Sequence, residues 1–247
     1  PAKEESIDNI LECAELKKTN PDMKLVVTGC LTQRYKRQLV TGLPEVDFFV
    51  GVDEFPRLPD LLESDIKKGA VFAQRTNYLY DGDLPKLNTL SPYSAYVKVA
   101  EGCQHNCAFC IIPAIRGKLR SRPIAGVLSE VRQLASQGVK EINLIAQDLA
   151  AYGRDLGSDN LIELLETLET VEGIEWIRLL YVYPENITDK FLEFFSRSKK
   201  IVKYLDVPMQ HGSDTVLERM NRNVKRSQLL ESLAKLRREV PGVAIRT

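Results

Sequence analysis

From Tyr93 onward, short apolar segments typical of buried strands alternate with amphipathic helical segments. The strand-like segments read YVKVA, EINLIA, WIRLLYV, YLDVP and VAIRT. Because they are apolar without strict alternation, they favour parallel strands that helices cover. Helices between successive strands make the right-handed crossovers that a parallel sheet needs. The sequence therefore predicts an α/β fold in which residues 94–247 form a parallel sheet, either open or curled into a partial (β/α) barrel.

A smaller α/β domain is predicted for residues 1–72, where helical and strand-like segments also alternate. Its second helix is expected to end at Gly69. Residues 73–93 are polar and contain Pro85, so they are interpreted as a linker. The chain starts directly in a helical pattern and stops directly after a strand-like one, which indicates a fragment of a longer protein at both ends.

Composition limits the function classes. Lys plus Arg and Asp plus Glu both total 34, so there is no overall charge signature of nucleic-acid binding. No apolar run approaches the ~18 residues of a membrane span, and no signal peptide is recognisable. We therefore expect a cytoplasmic protein without a membrane partner. In that compartment the five cysteines indicate metal binding or catalysis more than disulfides.

Three of those cysteines, Cys103, Cys107 and Cys110, lie in the stretch VAEGCQHNCAFCIIP with the spacing C-x3-C-x2-C. Three thiolates can bind three irons of a cubane iron–sulfur cluster and leave the fourth iron open to a substrate or cofactor. One alternative is a zinc site completed by His105 or His211. Another is three inert buried thiols, which the polar composition of the loop disfavours.

Polar residues also follow the later strands, and the carboxyl ends of parallel strands meet at one edge of a sheet. Gln147 and Asp148 follow the second predicted strand, and Gln210 and His211 follow the fourth. We expect these side chains to line a pocket beside the cysteine loop. The alternatives are helix capping for the first pair and a buried, hydrogen-bonded imidazole for His211.

Together with the cysteine loop, the blocks RGKLRSRP, AQDLAAYG, YVYP and YLDVPMQHGSD resemble the methylthiotransferases of the radical S-adenosylmethionine (SAM) superfamily. The resemblance runs through residues 1–247 and is greatest to the branch that modifies a ribosomal protein. It implies a [4Fe–4S] cluster on Cys103, Cys107 and Cys110 whose open iron binds SAM. One electron from an external donor then cleaves SAM to methionine and a 5′-deoxyadenosyl radical.

The resemblance further implies a second [4Fe–4S] cluster held by three cysteines of the N-terminal domain. Cys30 matches the third of them, and the other two are expected upstream of Pro1. The implied substrate is the β-carbon of an aspartate in a ribosomal small-subunit protein. The resemblance also leaves room for RNA contact through a small C-terminal β-barrel expected beyond Thr247.

Six residues are implied to contact SAM or substrate: Gln147, Asp148, Gln210, His211, Arg116 and Arg122. For the two arginines the alternative is a solvated surface. A second basic run is interpreted as solvated, and it comprises Arg219, Arg222, Lys225 and Arg226. Tyr152 and Tyr183 are expected to pack with hydrogen-bonded hydroxyls. Cys13 is expected to be a small buried apolar residue and Trp176 a core residue.

Two rival functions stay open. The first is methylthiolation of a tRNA adenosine carrying an N6-isopentenyl or threonylcarbamoyl group. That branch usually has Gln-Asn where this chain has Gln147-Asp148, and His211 also fits the protein-modifying branch. The neutral net charge points the same way because RNA binding depends on phosphate contacts. The second rival is a non-catalytic iron–sulfur or zinc-binding module.

Overall fold

The computed structural model describes residues 2–74, 78–80, 88–89, 91–157 and 161–247. The chain forms two compact units, Pro1–Tyr78 with Ala114–Arg116 and Leu79–Pro113 with Gly117–Thr247. Much of the predicted linker 73–93 lies outside the described residues. Among the helices of the described ranges, none combines the length and apolarity needed to cross a membrane.

The N-terminal unit is built on a three-stranded parallel sheet with strand order β1-β2-β3. Its elements are α1 (Ala2–Thr19), β1 (Val26–Thr28), α2 (Cys30–Tyr35), α3 (Arg37–Gly42), β2 (Phe48–Val50), α4 (Leu58–Glu63) and β3 (Ala70–Phe72). The central strand β2 is wholly buried, as expected for its sequence FFV. Cys30 begins α2 directly after the β1 strand, with only Gly29 between them.

The helix predicted to end at Gly69 is shorter than expected. Helix α4 ends at Glu63, because Ser64 adopts an extended conformation (φ −84°, ψ 153°). The Gly69 N–H donates a hydrogen bond to the Asp47 carbonyl (2.7 Å), and the chain then enters β3, a strand that the sequence pattern did not reveal.

The C-terminal unit contains a five-stranded parallel sheet with strand order β10-β9-β8-β7-β4, so each strand pairs with its neighbour along this series. Its strands are β4 (Ser94–Lys98), β7 (Glu141–Ile145), β8 (Trp176–Leu179), β9 (Ile201–Asp206) and β10 (Ala244–Arg246). Its helices are α5 (Ile112–Arg116, shared with the N-terminal unit), α6 (Ile124–Ser136), α7 (Leu161–Glu169), α8 (Asp189–Arg197), α9 (Asp214–Arg219) and α10 (Arg226–Glu239). A short antiparallel pair, β5 (Ala100–Glu101) and β6 (Arg120–Ser121), flanks the cysteine loop. The predicted α/β class is thus confirmed.

Helices pack on one face of this sheet through apolar residues at helical spacing. Helix α6 buries Val127, Val131 and Leu134, and α7 buries four leucines. Helix α8 begins at a Thr188 cap whose hydroxyl accepts from the Phe191 N–H (3.2 Å). These side chains belong to one core with the strand residues that face them.

The expectation of uniformly buried strands is wrong, because the other face of the sheet lines a cavity. In β4, Ala95 and Val97 are buried in the core, whereas Tyr96 and Lys98 line the cavity. The same two-residue alternation holds in β7, where Asn143 lies on the cavity side.

Two smaller expectations are also wrong. Trp176 is 57% exposed because it is the first residue of β8, at the edge where the strand emerges from a turn. Cys13 is exposed on α1 beside the buried Ala14, so it lies just outside the apolar stripe of that helix.

Candidate active site

The cysteine loop begins where the backbone passes very close to another segment. Gly102 has φ +80°, and a Cβ at this position would lie 2.1 Å from the Lys118 carbonyl oxygen. The Cys103 N–H donates to the Gly117 carbonyl (3.2 Å). Pairing of β5 with β6 closes the loop at its base. Only glycine fits this approach, since any side chain would clash with the backbone and be strained at a positive φ.

All three loop sulfurs accept hydrogen bonds from N–H donors. The contacts are His105 N to Cys103 Sγ (3.4 Å), Ile112 N to Cys110 Sγ (3.5 Å) and Arg222 Nη1 to Cys107 Sγ (3.7 Å). Such donors stabilise negative charge on sulfur, and in iron–sulfur proteins they tune the cluster. All five cysteines of the chain are free thiols.

His105 is held in place on two sides. Its Nε2 donates to Asp148 Oδ2 (2.8 Å), a carboxylate that also accepts from Asn186 Nδ2 (2.9 Å). Its ring stacks on Tyr183 with centroids 4.1 Å apart and an interplanar angle of 7°. Asp148 is buried and also caps the short 3-10 turn that follows it, through the Ala150 N–H (3.2 Å). The structure thus shows the capping alternative for Asp148, and in addition a contact with the cysteine loop through His105.

The loop opens onto a cavity of about 910 Å³, within the size range of small-molecule sites. Its wall includes Cys103 and Cys110 from the loop and Gln147 from the end of β7. Gln147 Nε2 donates to Glu101 Oε1 (3.1 Å), while Gln147 Oε1 is buried without a hydrogen-bond partner among the described residues. A buried acceptor of this kind needs a donor, which a bound ligand can provide.

The sheet and the segment after β8 contribute most of the rest of the wall. The polar and aromatic side chains in it are Tyr96, Lys98, Asn143, Arg178, Tyr181, Tyr183, Tyr204, Asp206 and Arg246. Most of these residues are not among those predicted to line the site. The sequence pattern that marks these cavity residues is the two-residue spacing of polar positions inside otherwise apolar strands, as in Tyr96–Lys98 and Tyr204–Asp206.

Gln210 and His211 line a different cavity, of about 510 Å³, together with residues such as Arg226 and Leu229. The structure therefore brings Gln147 to the cysteine loop and places this later pair elsewhere. His211 is exposed, and its Nδ1 accepts from the Ser213 N–H (3.0 Å). The alternative of a buried imidazole is wrong because the loop after β9 leaves the ring at the surface.

Arg122 lies in the protein core with 1% exposure, so the alternative of a solvated side chain is wrong for it. Its Nη1 donates to Glu130 Oε2 and to the Lys98 carbonyl, both at 2.6 Å. The Tyr152 hydroxyl donates to the Arg122 carbonyl (2.6 Å), which confirms the hydrogen-bonded packing role expected for that buried tyrosine. Arg122 thereby joins the end of β4 to α6.

Arg116 and Cys30 meet within the N-terminal unit. Arg116 Nη2 donates to Cys30 Sγ at 3.2 Å. The two residues, predicted separately, are thus direct neighbours.

The second basic run is not uniformly solvated, because Arg222 is 5% exposed. It contacts Cys107, both carboxylate oxygens of Glu185 (3.0 and 3.3 Å) and the Tyr183 ring, 4.2 Å from its centroid. Periodicity does not identify Arg222 since it lies in the turn between α9 and α10.

Burial shapes the electrostatics of the loop. It raises the pKa of the Cys103 thiol, and the nearby Asp148 carboxylate adds to this effect. It also raises the pKa of Tyr183, so its hydroxyl is neutral. For Arg222, burial lowers the pKa, but the Cys107 hydrogen bond and Glu185 raise it overall. Cys103 is thus a neutral thiol until a metal displaces its proton.

Within the described ranges, no group of three or more His, Cys, Asp or Glu side chains is placed to hold a single metal ion. A cubane cluster is wider than one ion, since each thiolate binds a different iron. Three thiols with N–H donors beside an unpartnered Gln147 oxygen fit such a cluster with a ligand in the adjoining cavity.

A parallel α/β sheet with a C-x3-C-x2-C loop at its carboxyl edge defines a radical SAM protein. Residues 97–247 match the Radical SAM superfamily, and the chain belongs to that family. Membership implies a [4Fe–4S] cluster and SAM as cofactors. Residues 1–51 match the family described as "Uncharacterized protein family UPF0004".

The similar curated proteins are more specific. The chain is 47% identical over 249 residues to "Ribosomal protein uS12 methylthiotransferase RimO" of Geotalea uraniireducens, covering 100% of this chain and 56% of that protein. The protein of the same name from Geobacter sulfurreducens is 46% identical with the same coverage, and the one from Myxococcus xanthus is 47% identical with 52% of its length covered. The chain therefore spans about half the length of the curated relatives it matches.

Solved structures share the fold at low sequence identity. The radical SAM methyltransferase TsrM from Kitasatospora setae, with cobalamin and a [4Fe–4S] cluster bound, has a TM-score of 0.67 at 16% identity, over 96% of this chain and 53% of that one. The cobalamin-dependent radical SAM enzyme OxsB has a TM-score of 0.68 at 13% identity, over 98% and 38%. These likenesses concern the fold alone.

Proposed function

We propose that this chain is part of a radical SAM methylthiotransferase that adds a methylthio group to an aspartate of ribosomal protein uS12. The observation that carries the proposal is the three-cysteine loop opening onto a cavity with Gln147 in its wall. The identity of 42–47% to uS12 methylthiotransferases along the whole chain supports the same reaction and substrate.

In this proposal Cys103, Cys107 and Cys110 hold the [4Fe–4S] cluster, which when bound supplies the electron that cleaves SAM. The chain contributes the binding site for SAM. The unpartnered Gln147 Oε1 is suited to accept a hydrogen bond from the SAM amino group. Asp148 acts indirectly, because its bond to His105 keeps the loop in one conformation.

The cavity wall also carries cations suited to an acidic substrate. Arg178 Nη2 is paired with Glu141 at 2.7 Å, whereas Arg246 lies farther from its partner Asp206, at 3.7 Å. We assign Arg246 the contact with an anionic group of the substrate, because its looser ion pair is easier to exchange. An aspartate carboxylate is such a group.

The N-terminal unit would provide part of a second [4Fe–4S] cluster through Cys30. Cys30 Sγ accepts a hydrogen bond from the Arg116 guanidinium, and hydrogen bonds to the sulfur ligands are a feature of iron–sulfur sites. The other cysteine ligands of this second cluster would come from the rest of the full-length protein. The proposal also includes an external electron donor and a cytoplasmic location.

The test is mass spectrometry of ribosomal proteins and of tRNA from cells lacking the full-length gene. The expected result is loss of the methylthio group from uS12, with tRNA unchanged. Restoring the gene should restore the modification, and restoring it with Cys103→Ala should not. A Cys13→Ala gene is the matched control, since that thiol lies outside the loop.

Loss of a methylthio group from tRNA with uS12 unaffected would overturn the substrate assignment. Anaerobically purified protein that contains zinc but neither iron nor acid-labile sulfide would overturn the enzyme assignment itself.

A further inference from the structure

Arg222 is a buried cation beside a cluster-binding cysteine. Its side chain is 2% exposed, and its pairing with Glu185, itself 26% exposed, offsets the cost of burial. Its Nη1 donates to Cys107 Sγ at 3.7 Å, while its Nε has no hydrogen-bond partner among the described residues. The guanidinium thus contacts the cysteine loop on one side and Glu185 on the other.

The turn that carries Arg222 is fastened to the same loop by two further contacts. The Ala108 N–H donates to the Met220 carbonyl (2.9 Å), and Asn221 Nδ2 donates to the Asn106 carbonyl (2.6 Å). Asn221 has φ +54°, a conformation that asparagine tolerates better than most residues. The residues on both sides of Cys107 are therefore held by the segment Met220–Arg222.

The three loop sulfurs differ in their donors. Cys103 and Cys110 receive backbone N–H groups from residues two positions later, whereas Cys107 receives a charged side chain. A hydrogen bond from a cation is stronger than one from a neutral donor. The reduced cluster carries one more negative charge than the oxidised cluster, so a nearby cation stabilises the reduced form more.

We propose that Arg222 is a positioning residue that orients Cys107 and raises the reduction potential of the loop cluster, with Glu185 partly opposing this effect. The inference rests on the proposed function only in assuming that the loop holds the cluster. Removing the cation should make the one-electron reduction harder, and removing the Glu185 charge should make it easier.

The test uses the full-length protein, reconstituted anaerobically with iron and sulfide in a Cys30→Ala background so that the loop cluster alone is observed. Electrons come from dithionite through mediator dyes, and electron paramagnetic resonance reports the reduced fraction. For Arg222→Gln we expect an about tenfold lower ratio of reduced to oxidised cluster at a given potential, a downward shift of about 59 mV. For Glu185→Gln we expect a shift in the opposite direction.

Arg219→Gln is the matched control, because it removes the same charge from an exposed position three residues earlier. It should leave the potential unchanged. Arg222→Lys keeps the positive charge, so its cluster should have a reduction potential close to that of the arginine protein. This should hold even if thermal stability falls because lysine has fewer hydrogen-bond donors than arginine. Arg222→Gln alone leaves the Glu185 carboxylate without its cationic partner. The double variant Arg222→Gln with Glu185→Gln leaves neither charge unpaired, so it serves as the second variant should the single one misfold.

Equal potentials for the Cys30→Ala protein and for Arg222→Gln in that background, each with a full loop cluster, would overturn the inference and leave the proposed function intact. Shifts of the same sign for Arg222→Gln and Glu185→Gln would also overturn it, since a purely structural disturbance predicts that outcome. Failure of the unaltered protein to bind a cluster would instead overturn the proposed function.

Discussion

Replacing Glu130 by Gln should destabilise the C-terminal unit, because it leaves a buried guanidinium without its carboxylate. The side chains of Arg122 and Glu130 are 1% and 2% exposed, and their Nη1–Oε2 distance is 2.6 Å. Removing one partner of a buried ion pair costs about 3–5 kcal/mol. The carbonyls of Lys98 (2.6 Å) and Gly126 (3.4 Å) still accept from Arg122, so we expect the lower end, about 3 kcal/mol.

In a protein of this size each kcal/mol corresponds to about 2–4 °C in Tm, so Glu130→Gln should lower Tm by about 6–12 °C. Thermal and urea unfolding followed by circular dichroism measure this effect. The double variant Arg122→Met with Glu130→Leu should recover most of the loss, because apolar residues of similar volume often replace a buried pair without cost.

A Tm change below about 2 °C for Glu130→Gln would refute the reasoning, as would a double variant no more stable than the single one. The same proteins test the predicted cofactor role of Arg122. If Arg122 contacts SAM, the double variant should bind SAM more weakly despite its recovered stability.

Three further predictions concern the loop and its support. Gly102→Ala should abolish cluster binding, since its Cβ would meet the Lys118 carbonyl oxygen at 2.1 Å. Gly138 also has a positive φ (+93°) but nothing within 4 Å of its Cβ position, so Gly138→Ala should cost only the left-handed backbone strain, about 1–2 kcal/mol. Iron content after reconstitution and urea unfolding distinguish the two variants. Asp148→Asn should speed the loss of iron to a chelator by about tenfold or more, because it weakens the His105 contact that orders the loop. Iron release at the rate of the unaltered protein would contradict this prediction. Burial raises the pKa of Tyr152 from 10.0 to about 12. Its contribution to stability is therefore complete below pH 10 and is lost as pH rises toward 12, and Tyr152→Phe should flatten that decline in urea unfolding.

Much of the fold follows from local sequence patterns. Helices α6, α7 and α8 lie between the strands, where amphipathic helical segments are predicted, since their apolar residues recur at helical spacing. The extent of α4 and the existence of β3 did not follow. Helix α4 ends where Ser64 turns extended, and β3 depends on distant contacts, namely the Gly69 N–H bond to the Asp47 carbonyl and the pairing with β2.

The sequence by itself determined the cysteine loop, the α/β class and the placement of Gln147 at a strand end, because each depends on spacing along the chain. Only the tertiary structure decided which charged side chains are buried. Arg122 and Arg222 look like ordinary surface cations in sequence, but one joins β4 to α6 and the other contacts Cys107. The physical reason is that burial of a charge depends on partners far away in the chain, here Glu130 and Glu185, which local periodicity does not encode.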